Sequence, residues 1–171
     1  LPVEIKIQRF SKQTSDWLIT YCLPMGWLAL LTGMFWVGDR PYYHKLFYAT
    51  LALPTLLAVA LQPSQLKRLL RQPLIQLFLL FSAYILISVL WSGTGETPLD
   101  SIKRPLYLLM LLFAAGLISL KHPGRLERVT EIAAVIAVLG AALSLGYFFY
   151  QGTAGRFSGY GALYNPLLSA H

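Results

Sequence analysis

Four cations, Arg40, Lys103, Arg104 and Arg156, each stand next to the end of a long uncharged stretch. Side chains of this type suit the binding of phosphate. A guanidinium keeps its charge and donates two parallel hydrogen bonds from a planar fork, while a lysine adds a compact positive charge. A diphosphate presented at a lipid surface is the kind of ligand such groups would grip. Snorkelling toward lipid headgroups is the simpler account of Lys103 and Arg104. Arg156 differs, because it is isolated in a glycine-rich segment. There, backbone amides can also approach phosphate oxygens.

Other reactive residue types form no recognisable constellation. Gly93-Thr-Gly95 lacks the Lys-Ser/Thr of a phosphate loop and reads as a turn, and Gly159-Tyr-Gly161 has no strand or helix context. His44, His122 and His171 show no ligand spacing, so no metal site is expected. Glu96 and Asp100 share a loop and could form an acid/base pair, although solvated loop carboxylates are commoner. No cofactor signature is present, and no residue qualifies as a catalytic base. Cys22, the single cysteine, reads as a small hydrophobe and excludes an intrachain disulfide.

The elements that must position these residues follow from charge spacing. No charged residue occurs between Asp16 and Asp39, Lys45 and Lys67, Arg71 and Glu96, Arg104 and Lys121, or Glu131 and Arg156. A spanning helix needs roughly 20 mostly apolar residues. With 56% hydrophobic and 12% charged residues, the chain is expected to be an all-α, polytopic membrane bundle of five helices. The expected spans are 17–37, 46–62, 74–91, 101–120 and 132–150. A soluble domain of this size could not conceal helices that are apolar on every side.

The net charge of +7 does not point to nucleic acid, because its distribution follows the spans. Lys6, Arg9 and Lys12, then Lys67, Arg68 and Arg71, then Lys121, Arg125 and Arg128 supply nine of the fourteen basic residues, all in alternate segments. The positive-inside rule therefore places the N-terminus in the cytoplasm.

Local signals refine the layout. Trp17, Tyr21, Trp27, Trp36, Tyr42 and Tyr43 form an aromatic belt at and beyond the ends of the first span. Pro54 should kink the second span or mark an adjustment against a neighbour. The link from Pro63 to Pro73 sets Leu66, Leu69 and Leu70 against Lys67, Arg68 and Arg71, a basic amphipathic turn suited to anionic headgroups. The fourth span should begin early, near Leu99, with Lys103 and Arg104 reaching for the interface. In the fifth span, Ala133, Ala137 and Ala141, with Gly140 and Ser144, form a small-residue stripe suited to close helix packing. No internal repeat is evident. The chain starts at Leu1 and stops at His171 in an apolar-looking stretch, as expected of the N-terminal piece of a longer protein.

The tail Gly155-Arg-Phe-Ser-Gly-Tyr-Gly-Ala-Leu-Tyr-Asn-Pro-Leu167 resembles the opening of the core region in the O-antigen ligase and polymerase superfamily. Leu90-Trp-Ser92, the short polar loop after it and the Lys103-Arg104 pair are also similar to that family. The resemblance implies a GT-C-type glycosyltransferase in the bacterial inner membrane, acting on an undecaprenyl-diphosphate-linked glycan at the periplasmic face. A ligase would pass the glycan to the lipid A core, and a polymerase would join repeat units. Residues 151–171 would be a periplasmic glycine-rich segment leading to a sixth span. Arg156 matches the family arginine that contacts the donor diphosphate, with Arg104 and Lys103 as further candidates. A late periplasmic loop with an essential histidine completes such enzymes. His171 is not assigned to that role, and the fragment alone is expected to be inactive.

A ligase is favoured over a polymerase. The alternative from another class is part of a transporter or permease. Against it, the apolar runs hold no ionisable side chain for ion coupling, and no inverted repeat is visible. A non-catalytic membrane scaffold is the third possibility.

Overall fold

The computed structural model describes residues 2–37, 40–88 and 98–151, and every regular element among them is helical. Helix α1 (Pro2–Trp17) runs through a π-helical turn at Leu18–Cys22 into α2 (Leu23–Trp36). Trp17 and Leu23 keep helical dihedrals, so the three form one continuous rod. It ends at Val37, which is extended. Helix α3 (Arg40–Phe47) continues likewise through a π turn at Tyr48–Ala52 into α4 (Leu53–Leu61).

The remaining breaks lie at proline and glycine. Gln62 leaves the helical region (φ −135°, ψ 83°), and α5 (Pro63–Leu70) starts at once. A residue before a proline tends to leave the helix in this way. Helix α6 (Pro73–Ser88) follows a two-residue turn, and α7 (Pro98–Lys121) also opens on a proline. Proline suits a first helical position, where its missing N–H would have no partner. Between α7 and α8 (Arg125–Gln151), Gly124 takes a positive φ of 79°. This left-handed conformation lets a chain leave a helix and turn.

The fold is an all-α membrane bundle. Pro41–Leu61 and Arg125–Tyr150 are each long and apolar enough to cross a bilayer, and α5 with α6 would count as a third span despite a 79° bend between them. The expected run 17–37 is helical but is divided by the π turn. Pro105–Lys121 is a shorter apolar stretch within α7. Residues 89–91 of the expected third span lie outside the described residues.

Two antiparallel rods, α1–α2 and α3–α4, form the centre. Ser11 donates to the Leu61 carbonyl (2.7 Å), Ser15 to that of Ala58 (3.0 Å) and Tyr43 to that of Leu30 (2.8 Å). Each side chain thus satisfies its hydroxyl on the opposing backbone, which apolar surroundings require. Helix α7 lies against both rods, burying Ile19, Phe47, Leu51, Leu117 and Ile118. Helix α8 packs on α2 and α7, and α6 on α5 and α7. The outer faces of α6 and α8 expose Leu77, Leu80, Tyr84, Val138, Leu143 and Phe149. Such a surface suits hydrocarbon or further helices.

The small-residue stripe on α8 divides along the helical period. Ala133 is buried and Gly140 seats the Phe35 ring, whereas Ala141 is exposed. Positions 133, 137, 140 and 144 share one face at helical spacing, and 141 lies off it.

The two rods also share a local motif. Thr20-Tyr-Cys-Leu-Pro24 and Thr50-Leu-Ala-Leu-Pro54 each end one residue into the helix that follows a π turn. Proline has no N–H for the carbonyl four residues back, here that of Thr20 and that of Thr50. The i→i+5 bonds from Leu23 to Leu18 and from Leu53 to Tyr48 absorb the mismatch. The freed Thr50 carbonyl lies against the Gly26 backbone of the other rod, where any Cβ would collide with it.

Candidate functional site

Three of the candidate cations, Arg40, Lys103 and Arg104, have backbone positions at one end of the bundle. Arg40 opens α3, and Lys103 and Arg104 lie in the second turn of α7. The two helices run in the same direction and are joined by Tyr107, whose ring stacks on Phe47 (3.8 Å between centroids) and meets the edge of His44 at 6.4 Å. Phe47 is fully buried, so Tyr107 is held against the core while His44 stays exposed. Helical spacing then sets the register. Arg40 precedes His44 by one turn, and Lys103 precedes Tyr107 by one turn, so the backbone positions of Arg40 and Lys103 lie toward the same end of the two helices. Lys103 is exposed.

The surroundings of this end are firmly packed. Tyr43 reaches the Leu30 carbonyl, and its ring lies close over Gly33 (3.0 Å from a Cβ position there), so that a side chain at Gly33 would press against it. The Trp36 indole donates to Thr32 (3.2 Å), and Lys45 sits over the Tyr42 ring at 4.9 Å. The ring quadrupole attracts a cation in that position. Sequence spacing gives His44 no metal-ligand partner, and its distance of four positions from Arg40 is the one signal that links it to this end. Arg156, the glycine-rich segment, Leu90-Trp-Ser92, Glu96 and the approach to a sixth span lie outside the described residues.

The opposite end collects the other polar groups. Lys121 pairs with Asp16, His122 Nε2 lies 3.0 Å from the Thr20 hydroxyl, and Arg125 donates to the Thr20 carbonyl at 2.7 Å. That carbonyl lies four residues before Pro24, which has no N–H to offer it. The cluster fastens the α7–α8 turn to the first π turn. Its residues satisfy one another, which makes it a structural junction.

Helical architecture, unpaired apolar faces and charges confined to the ends define a multi-pass membrane protein. No family model matches the chain, and no solved structure matches it. Among characterised proteins, it is 49% identical over 166 residues to a protein of Pseudomonas aeruginosa named O-antigen ligase. The match takes in 97% of this chain and 41% of that protein, so the chain spans about two fifths of its relative's length. The chain is thus similar, over nearly its whole length, to a protein named O-antigen ligase.

Proposed function

We propose that this chain is part of an O-antigen ligase-like membrane glycosyltransferase. In this reading the whole protein transfers an undecaprenyl-diphosphate-linked glycan to the lipid A core at the periplasmic face of the inner membrane. The 49% identity to a protein of that name is the observation that carries the reading. The gathering of Arg40, Lys103 and Arg104 at one end supports it, because glycosyl transfer from a diphosphate carrier develops negative charge on the leaving group. Fixed cations there lower the barrier. Arg156 is proposed as the main diphosphate contact, with Arg104 and Lys103 as flanking charges. The acceptor hydroxyl requires a base within hydrogen-bond reach, and that base is assigned to a part of the protein beyond this chain.

The test uses the full-length protein in cells whose own copy is deleted. Arg156→Ala should abolish the lipopolysaccharide ladder while polymeric glycan accumulates on the lipid carrier and the protein remains in the membrane. A wild-type ladder in that variant would overturn the assignment. A single repeat unit left on the core in the deletion strain would point to a polymerase, and an unchanged ladder there to transport or another glycan.

A further inference from the structure

We propose that α5 and the turn after it form a binding surface for anionic phospholipid headgroups, through Lys67, Arg68 and Arg71. Three observations carry this. First, the 79° bend sets α5 nearly across the axis of α6, so that an α6 crossing the bilayer leaves α5 close to the membrane plane. Second, one face of α5 is fixed inward. Leu69 is fully buried, with its methyl 2.6 Å from the Cβ position of Gly116, and Leu66 packs on the core, while Leu70 is exposed beside the cations.

Third, Lys67, Arg68 and Arg71 are exposed, and none has an acceptor among the described residues. Their neighbours at the same end are already engaged: Lys121 by Asp16 and Arg125 by the Thr20 carbonyl. No Asp or Glu occurs between Lys45 and Glu96, so the patch has no acidic counterpart in its own segment. The backbone of Lys12 lies beside Gln62 at the start of α5, which adds a further cation at the edge. Exposed leucine flanked by uncompensated cations matches a phospholipid leaflet, with its apolar interior and negative surface.

The experiment reconstitutes the full-length protein in nanodiscs of phosphatidylcholine with or without phosphatidylglycerol and reads its melting temperature and the lipids retained in native mass spectra. Wild type should be stabilised by phosphatidylglycerol and retain it roughly tenfold or more over phosphatidylcholine. K67Q/R68Q/R71Q should lose that preference, and R9Q/R128Q should keep it. Equal retention of both lipids by wild type, or an unchanged preference in the α5 variant, would overturn the proposal. The wild-type preference should also vanish as salt rises from about 0.1 M to about 1 M and the Debye length falls from about 10 Å to about 3 Å. A preference that survives high salt would overturn it even if the α5 variant failed to fold. None of these readouts involves glycan transfer, so the result is independent of the proposed activity.

Discussion

At the residue scale, the bond from Arg125 to Thr20 shows how one proline sets a demand that a distant side chain meets. Pro24 has no N–H to offer the Thr20 carbonyl four residues back. A guanidinium 105 positions away in sequence supplies the replacement at 2.7 Å. Hydrogen bonds to charged groups contribute about 1.5–3 kcal/mol. Arg125→Ala should therefore destabilise the protein by about that amount, read as a lower melting temperature in detergent. Adding Pro24→Ala restores a backbone donor and should remove much of the loss. An unaltered melting temperature in Arg125→Ala would show that Thr20 finds another partner. In the sequence, Arg125 is legible only as a cation that marks a side of the membrane. Its partner is a backbone atom, and no residue type signals a freed carbonyl.

At the element scale, the approach of the two central rods depends on Gly26. The Thr50 carbonyl occupies the space where a side chain would stand. Gly26→Ala should force the rods apart and cost about 1–3 kcal/mol, the range for overpacked interiors. Gly146 on α8 has open space around its Cβ position. Gly146→Ala should therefore be neutral or stabilising by up to about 1 kcal/mol. Thermal denaturation of the two variants side by side checks the contrast. Equal effects would mean that the contact at Gly26 is not limiting. Pro54 is legible in the sequence as a site of adjustment. Pro24 and the two π turns are not, because a π turn is a choice between hydrogen-bonding partners within one helical dihedral region.

At the scale of the whole molecule, the three basic segments come together. Ser11 reaches Leu61 beside the start of α5, and Asp16 reaches Lys121, so α1, α5 and the α7–α8 turn share one end. Arg40, His44 and Lys103 share the other. The positive-inside rule then predicts which end faces the cytoplasm. With Cys22 replaced by serine, Tyr42→Cys should react with a membrane-impermeant maleimide in cells with a permeabilised outer membrane. Gln65→Cys should react only after the inner membrane is broken. The reverse pattern would invert the orientation and move the proposed phosphate-binding face to the cytoplasm.

The sequence alone determines that this is a helical membrane protein and roughly where its apolar runs lie, because excluding charge from hydrocarbon is a one-dimensional constraint written into residue spacing. It also marks Lys103, Arg104 and Arg40 as cations at run ends, and the short motifs that resemble the O-antigen ligase and polymerase superfamily. Only the tertiary structure decides that Tyr107 joins α3 to α7 and brings Arg40 and Lys103 to one end, or that Lys121 and Arg125 are consumed internally while Lys67, Arg68 and Arg71 are not. Helices in lipid gain little from apolar burial against one another, so their pairing rests on close backbone approach and a few interhelical hydrogen bonds. Those terms depend on which residues meet across space.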